Sequence, residues 1–307
     1  MSDVIALRPF YLTQNVGHGE ARRKSLSECR YQLVALMDAD DICCYDRFEK
    51  QLNCFMKDSS LSIVGGQITE FVGESNNVTG MRVVPEKHNE IAKYMKKRCP
   101  MNQVTAMFKK EEVEKAGGYI DWYCEEDYYL WIRMMEHGCS FANVPDVLVN
   151  VRTGEAMAGR RGGWKYFFSE AKLQQYMLKK RIISPIRYLY NVAIRFGGEV
   201  VLNDKMRQKL FSLVREKADS DMKEYSIVGK TETKNFSERD NAAYPPFSVS
   251  MCVYGGDDAE WFDVALESVI NQTVRPSEIV LVVDGPIPQT IQDVIHKYEN
   301  ICERKEL

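Results

Sequence analysis

The feature that most constrains the fold of this chain is an apolar run that ends in carboxylates, Leu33-Val-Ala-Leu-Met-Asp38-Ala-Asp40-Asp41. An uninterrupted apolar run bounded by a polar turn is typical of a strand buried on both faces of a parallel sheet. Open α/β sheets bind ligands at the carboxyl ends of such strands. Carboxylate oxygens at that edge suit Mg²⁺ or Mn²⁺, which could hold a phosphorylated substrate. The alternative is an acidic turn that caps the next helix.

The composition is that of an ordinary globular protein and argues against several classes. The 307 residues are 45% hydrophobic and 28% charged, which suffices for one large α/β domain or two small ones. A net charge of −3 gives no field that would recruit nucleic acid, and no apolar stretch is long enough to span a bilayer. We see no secretory signal and no C-x-x-C among 9 cysteines, so we expect a cytoplasmic protein.

The last part of the chain has the pattern expected at the beginning of a nucleotide-binding α/β fold. Apolar strands are predicted at 247–254 and 278–283, and each precedes a helix with apolar residues at helical spacing, at 259–271 and 288–302. Two β-α units in succession predict neighbouring parallel strands with right-handed crossovers.

These residues carry a resemblance to a known family. The segment 247–286 contains V-x-x-C-V-Y, A-L-E-S-V-I-N-Q-T and E-I-V-L-V-V-D-G-P, and it resembles the opening of family 2 glycosyltransferases, which are inverting enzymes with a GT-A fold. The N-terminal part resembles the later segments of that family, with N-x-G-x-x-x-A-R at 15–22, D-x-D at 38–40, G-G at 117–118, E-D at 126–127 and a late strand at 147–152. The resemblance covers nearly everything except about 218–245.

The resemblance implies a Rossmann-like, mostly parallel sheet with helices on both faces, but the family's first quarter is here the last quarter. We interpret this order as a circular permutation, whether natural or engineered, because a cut in an exposed connection is tolerated. The predicted domains are one catalytic GT-A domain from 1–159 and 246–307, a basic and aromatic helical extension at 160–217, and a flexible linker at 218–245. Alternatively, 246–307 completes a neighbouring molecule in a segment-exchanged dimer.

Apolar periodicity predicts the remaining elements. Strands are expected near 8–13, 31–38, 61–68, 104–109 and 147–152, and helices near 19–29, 45–57, 88–97, 110–116 and 126–137. Past Gly163 the pattern changes to helix without strand, at 164–181, 185–196 and 203–216.

The helical extension is strongly basic. From Arg160 to Arg195, nine basic residues stand against Glu170 alone, and aromatic residues interleave with them. A basic helix with an aromatic and aliphatic face can lie on an anionic membrane, which predicts peripheral contact through 160–196 at the inner face of the cell membrane. A helical cap with a solvated basic face is the alternative, and the absence of a recognised binding motif disfavours nucleic acid.

Glycosyl transfer from a nucleotide-diphosphate sugar needs a cation at the departing diphosphate and a base for the acceptor hydroxyl. The resemblance implies that Asp40 is the direct metal ligand and that Asp38 contacts the ribose or the metal hydration shell, while Asp41 is expected to cap a helix. It also implies that Asp127 is the catalytic base, with Glu126 sharing or orienting that role. A helix start can hold such a carboxylate ionised, although these residues could also serve only the helix start.

Four residues are nominated for the nucleotide: Val253, Tyr254, Asp284 and Arg22. Tyr254 could pack on a uracil ring, and Arg22 could reach the base or a phosphate. A rim aromatic and a solvated helix residue are the alternatives. Many relatives carry two adjacent aspartates where this chain has Val283 and Asp284, so the choice of nucleotide stays open.

We therefore expect a metal-dependent, inverting glycosyltransferase of the hexosyltransferase type. It would use a nucleotide-diphosphate sugar, with a UDP-sugar as the expected donor, and a lipid-linked saccharide acceptor, as in the capsule and exopolysaccharide enzymes that it resembles. A sugar nucleotidyltransferase is an alternative, but the glycine-containing turn at 254–258 is acidic rather than basic. A catalytically silent scaffold of the same fold is the other alternative.

Overall fold

The computed structural model describes residues 5–154, 163–201 and 244–303. The strands in this part of the chain are β1 (Ala6–Tyr11), β2 (Leu33–Asp38), β3 (Ile42–Cys43), β4 (Leu61–Phe71), β5 (Val78–Arg82), β6 (Met107–Lys109), β7 (Ser140–Arg152), β8 (Phe247–Tyr254) and β9 (Glu278–Asp284). The helices are α1 (His18–Glu28), α2 (Arg47–Lys57), α3 (His88–Met95), α4 (Lys110–Lys115), α5 (Glu126–Glu136), α6 (Gly163–Lys179), α7 (Pro185–Arg195), α8 (Ala259–Ile270) and α9 (Gln289–Glu303).

The predicted elements are present wherever the structure describes the chain. β7 begins at Ser140, earlier than predicted, and the sequence missed β3 and β5, which are short and contain no long apolar run. The predicted helix at 203–216 and nearly all of the predicted linker at 218–245 lie outside the described residues.

The two C-terminal strands lie inside the sheet, between N-terminal strands. The strand order is β1-β9-β8-β2-β6-β4-β7-β3, and β5 pairs with β4. β9 pairs in parallel with both β1 and β8, and β8 pairs in parallel with β2. The C-terminal segment of the chain therefore contributes two neighbouring parallel strands to the sheet, and β8 lies directly beside β2. β6 runs antiparallel to both β2 and β4, so it interrupts the parallel pairing, which resumes between β4 and β7.

Strand β2 is buried on both of its faces, as predicted. Leu33, Ala35 and Met37 belong to one hydrophobic cluster, whereas Val34 and Leu36 belong to another. Because successive strand residues point to opposite faces, each face needs its own covering helices. Helices α2, α8 and α9 supply the first cluster, and α1, α3, α4, α5 and α6 supply the second. The α/β fold with helices on both sides of a curled sheet is thereby confirmed.

Buried polar contacts fasten the C-terminal strands to the N-terminal part of the chain. The Glu278 side chain at the start of β9 is 1% exposed. Its carboxylate accepts hydrogen bonds from Arg8 Nη1 at 2.8 Å, the Arg30 backbone N–H at 2.7 Å and Ser248 Oγ at 2.7 Å. Removing one partner of such a buried charge leaves it uncompensated, which is strongly destabilising. Charge pairing thus helps to set which strands are neighbours.

A buried arginine supports the strand that ends in the carboxylates. Arg47 on α2 is fully buried, and its Nη2 donates to the Leu36 carbonyl at 2.8 Å. Its Nε donates to Gln51 Oε1 at 3.1 Å, and Gln51 Nε2 in turn donates to the Val64 carbonyl at 2.7 Å. Because buried polar groups must be hydrogen-bonded, this network holds β2 in place two residues before Asp38.

Helices α6 and α7 form a hairpin beside α5. Leu173, Met177 and Ile183 pack into the cluster that contains α5. Ser184 caps α7, since its side chain accepts the Arg187 N–H, and Pro185 occupies the first turn. In the described ranges, no helix combines the length and the hydropathy that a membrane span requires.

Candidate active site

The carboxylates after β2 lie in a turn that is tied to neighbouring elements. Asp38 Oδ1 accepts a hydrogen bond from Arg22 Nη2 at 2.7 Å. Asp41 is buried, and its Oδ1 accepts the Arg152 backbone N–H at 2.8 Å. Helix α2 starts after Asp46, so the prediction that Asp41 caps a helix is wrong. The Asp41 carboxylate instead joins this turn to the end of β7.

Asp257 also belongs to this acidic edge, and sequence reasoning missed it. It lies in the turn after β8, where its Oδ2 accepts the Tyr254 N–H at 2.9 Å. Burial, together with the nearby charges of Asp40 and Asp38, raises the pKa of Asp257 to about 6. The available signal was its position after a strand expected to lie in the same parallel sheet as β2, since such strands end at one edge.

The concentration of carboxylates suits a hard cation that a substrate helps to hold. Burial, and then the charges of Asp38 and Asp40, raise the pKa of Asp41, so the edge carries negative charge in excess. Among the residues that the structure describes, no three or more His, Cys, Asp or Glu side chains are arranged to hold a metal ion by themselves. Mg²⁺, however, is commonly held by one or two carboxylates and the phosphates of a substrate. The all-oxygen donor set therefore fits Mg²⁺ or Mn²⁺.

Tyr254 and Asp284 are paired neighbours at the ends of β8 and β9. Tyr254 is 41% exposed, so its ring is available to a ligand. Asp284 is buried, and its two oxygens accept the backbone N–H groups of Val16 at 2.7 Å and Gly17 at 3.2 Å. Asp284 thus holds the loop before α1. The Val253 side chain packs in the core, which leaves only its backbone for a ligand.

Arg22 connects the two acidic parts of the site. It is 7% exposed, so the alternative of a solvated helix residue is wrong. Burial disfavours its charged form, but the Asp38 and Glu126 carboxylates and the Tyr119 hydroxyl oppose this and raise the pKa of Arg22 overall. The guanidinium therefore stays positive between the carboxylates after β2 and those that begin α5.

The carboxylates predicted to act as the base lie in the first turn of α5. Asp127 Oδ1 accepts the Tyr128 N–H at 2.7 Å. Its Oδ2 is 3.9 Å from Cys99 Sγ, which is a weak thiol contact. Burial and the Asp127 charge raise the pKa of Glu126, whereas Arg22 opposes that rise. Among the described residues, Asp127 Oδ2 therefore accepts no strong hydrogen bond.

The helical extension contacts the start of α5. Tyr166 on α6 donates from its hydroxyl to Glu125 Oε1 at 2.9 Å, and Glu125 is buried. Trp122 Nε1 donates to the Ser169 carbonyl at 3.2 Å. The sequence contained no sign of these contacts, because they join segments that are distant along the chain. They fix α6 against the turn that leads into Glu126 and Asp127.

The structure places four of the nominated residues at one sheet edge. Asp38, Asp40, Tyr254 and Asp284 lie at the ends of three adjacent strands, and Arg22 links them to Glu126. An edge of this kind can bind a cation with a diphosphate. It also offers a separate carboxylate, at the start of α5, that can accept a proton.

The N-terminal part of the chain matches a family model. The model described as glycosyl transferase family 2 matches residues 5–112. This range contains the Asn15–Arg22 segment and the carboxylates after β2.

Bacterial proteins of known name are similar over longer stretches. An uncharacterized glycosyltransferase of Haemophilus influenzae is 38% identical over 212 residues, which are 69% of this chain and 79% of that protein. The UDP-Gal:alpha-D-GlcNAc-diphosphoundecaprenol beta-1,3-galactosyltransferase of Escherichia coli is 35% identical over 62% of this chain and 68% of its own length. The amylovoran biosynthesis glycosyltransferase AmsE of Erwinia amylovora is 37% identical over 55% of this chain and 62% of its own.

Proposed function

The chain belongs to glycosyl transferase family 2, and we propose that it transfers a sugar, with inversion, from a UDP-sugar to a hydroxyl of a lipid-linked saccharide. Its relatives include glycosyltransferases named for amylovoran biosynthesis and for O-antigen biosynthesis. The observation that carries the proposal is the position of Arg22. Its guanidinium hydrogen-bonds Asp38, and the nearby charge of Glu126 contributes to its raised pKa. One cleft would then serve both the donor and the base.

The donor diphosphate would lie against the carboxylates after β2. The resemblance to the family's D-x-D segment leads us to assign Asp40 as the direct cation ligand. We assign Asp38, one oxygen of which accepts the Arg22 hydrogen bond, as a contact to the ribose or the metal hydration shell. When bound, Mg²⁺ or Mn²⁺ would supply positive charge to the departing diphosphate. Arg22 orients Asp38 and adds a fixed positive charge nearby, which lowers the local excess of negative charge.

Asp127 would remove the proton from the acceptor hydroxyl. Its Oδ1 is occupied by the Tyr128 N–H, so Oδ2 is the atom that would receive the proton. Inversion requires attack from the side opposite the leaving group, which places the base across the sugar from the diphosphate. We assign Glu126, which lies near both Asp127 and Arg22, the role of orienting this carboxylate.

The nucleotide would be held at the ends of β8 and β9. The exposed Tyr254 ring could stack on uracil, and the Val253 backbone could contact the base. We assign Asp284 an indirect role, because both of its oxygens accept hydrogen bonds from the loop before α1. The E. coli relative is named for a UDP-Gal donor and a diphosphoundecaprenol acceptor, which favours a UDP-sugar and a lipid-linked acceptor here, at the cytoplasmic face of the membrane.

We also propose that the chain is circularly permuted relative to its family. The proposal rests on the order of the motifs and on strands β8 and β9, which lie between β1 and β2. The domains would be 1–159 with 246–307 as the catalytic unit, 160–217 as the helical extension and 218–245 as the linker. The same strand pairing could form between two chains in a segment-exchanged dimer, which is the alternative arrangement.

A donor screen tests the function. The purified chain is titrated with UDP and Mn²⁺ by calorimetry, and a panel of nucleotide sugars is monitored for slow release of the nucleoside diphosphate. We expect a folded monomer to bind UDP and to hydrolyse one donor class. Asp127→Asn should bind UDP normally and lose about 10²–10⁴-fold in turnover, as for removal of a general base. Asp58→Asn, at an exposed position after α2, is the matched control.

Three outcomes would contradict the proposal. A folded protein that binds neither UDP nor any nucleotide sugar would indicate a silent scaffold. Near-normal turnover of Asp127→Asn would remove this residue as the base. Formation of a sugar nucleotide from a nucleoside triphosphate would instead indicate a nucleotidyltransferase.

A further inference from the structure

Helix α7 presents its apolar side outward. Ile186, Leu189, Tyr190 and Ile194, which we name the α7 outer face, are 81%, 66%, 57% and 54% exposed. The buried residue of this helix is the polar Asn191. An ordinary surface helix does the opposite and buries its apolar stripe. We propose that α7 lies flat on an anionic lipid bilayer and inserts the α7 outer face among the lipids.

Polar contacts on the inner side fix the rotation of α7. Asn191 Nδ2 donates to the Lys96 carbonyl at 2.9 Å and to Gln174 Oε1 at 2.8 Å. Arg195 donates from Nη2 to the Lys97 carbonyl at 2.9 Å and pairs with the Glu170 carboxylate. Turning the apolar side inward would break these hydrogen bonds and leave the buried Asn191 amide unsatisfied. The outward position of the apolar residues is therefore built into the packing of the helix.

Three further exposed apolar side chains are aromatic and lie on α6 and just after α7. Trp164 and Phe168 on α6 are 56% and 61% exposed, and Phe196 after α7 is 41% exposed. Trp164 stacks on Phe168 with ring centroids 5.7 Å apart and meets Phe196 at 6.0 Å. Clusters of exposed apolar side chains of this kind mark a binding surface for a protein or a membrane. Aromatic and aliphatic residues on one side of a helix are what interfacial helices bury among lipids.

Three partners could cover the α7 outer face: an anionic bilayer, a second copy of the chain and the segment 203–216. The charge of the surrounding residues favours the anionic bilayer. From Ala171 to Gly198 the sequence has no Asp or Glu, and it has six basic residues. Lys179, Lys180 and Arg181 are all exposed at the turn that leads into α7. Basic residues beside an apolar face are attracted to the negative headgroups of anionic lipids.

A second copy of the chain and the segment 203–216 do not supply negative charge to this surface. A second copy of the chain would bring two such basic turns together. The segment 203–216, which lies outside the described residues, has four basic residues against two acidic ones, so it too is positive. Like charges close together repel, and the surface therefore fits an anionic bilayer better than either.

The docked helix would lie close to the proposed base. The inner side of α7 holds the Lys96 and Lys97 carbonyls, and Cys99, two residues further on, contacts Asp127. A chain that docks through α7 would thus hold Asp127 near the bilayer, where a lipid-linked acceptor would lie. This link to the acceptor rests on the proposed function, whereas the docking itself does not.

Vesicle flotation tests the docking directly. The full chain is mixed with phosphatidylcholine vesicles or with vesicles containing one-quarter phosphatidylglycerol, at low and high salt. We expect at least about 10-fold more binding to the anionic vesicles at low salt, with most of that preference lost in high salt. Leu189→Glu and Ile186→Glu should each lower binding at least about 10-fold, because a carboxylate replaces an inserted apolar group and meets anionic headgroups.

Met56→Glu is the matched control, since Met56 is an apolar residue of α2 that is 53% exposed. It should bind vesicles like the unchanged chain. Thermal unfolding checks that each variant folds, and UDP titration in the absence of lipid should be unaltered by Leu189→Glu. A docking failure is therefore distinguishable from a failure of the proposed function.

Three results would overturn the proposal. One is absence of vesicle binding by the unchanged chain. Another is equal binding by the unchanged chain and Leu189→Glu. A third is a dimer in light scattering that Leu189→Glu dissociates, because this would assign the α7 outer face to a second copy of the chain.

Discussion

Asp284→Asn tests how the C-terminal strands hold the N-terminal loop of the site. The two Asp284 oxygens accept the Val16 and Gly17 N–H groups at 2.7 and 3.2 Å, and the residue is 6% exposed. Asparagine keeps one acceptor oxygen and turns an NH₂ donor toward the other N–H. The variant therefore loses one hydrogen bond and weakens the second, with little change in shape.

The kind of bond that is lost sets the magnitude. A hydrogen bond to a charged group contributes about 1.5–3 kcal/mol net. The half-buried Gly17 N–H keeps a second acceptor, Asn15 Oδ1 at 3.2 Å, so we expect the free energy of unfolding to fall by about 1.5–3 kcal/mol. At about 2–4 °C per kcal/mol for a domain of this size class, the melting temperature should fall by about 3–12 °C.

Urea unfolding measures this difference, with the midpoint and slope compared between variants. Asp293→Asn is the control, because this aspartate lies on α9, where its Oδ1 accepts an exposed hydrogen bond from Gln289. It should change stability by less than about 0.5 kcal/mol. The reasoning would be refuted if Asp284→Asn kept its stability but lost much of its UDP affinity. Asp284 would then contact the nucleotide directly rather than stabilise the loop before α1.

Two further predictions concern the acidic edge. Asp40→Asn should make UDP affinity the same with and without Mn²⁺ in calorimetry, and a retained Mn²⁺ dependence would exclude Asp40 as the ligand. Asp257 has a pKa of about 6 in the folded protein, above its value of about 3.9 in an unfolded chain. The folded state therefore holds the proton more tightly, so this group lowers stability as pH rises from about 4 to 6. In EDTA at pH 7.5, the free energy of unfolding of Asp257→Asn should exceed that of the unchanged chain by about 1–2 kcal/mol, after allowance for solvent screening. The variant should therefore have a higher urea midpoint, and a less stable variant would contradict this.

Local sequence was sufficient for the elements that carry the site. The apolar run of β2 and the aspartates after it predicted a strand buried on both faces, and both hydrophobic clusters confirm it. Helix α5 begins at Glu126, as predicted. Short strands escaped detection, because β3 has only two residues and pairing rather than composition defines it. The site residues were nominated from motifs, and their proximity could only be expected from the rule that parallel strands end at one edge.

The sequence by itself determined the longer strands, the described helices and the aspartates that follow β2, because each depends on residues that are neighbours along the chain. Only the tertiary structure decided that Arg22 is buried beside Asp38, that Asp284 is engaged by Val16 and Gly17 and that Asp257 joins the acidic edge. It also decided which side of α7 faces outward. The physical reason is that hydrogen-bond partners and desolvation are set by segments brought together from far apart in the chain, and residue type does not specify which groups will meet.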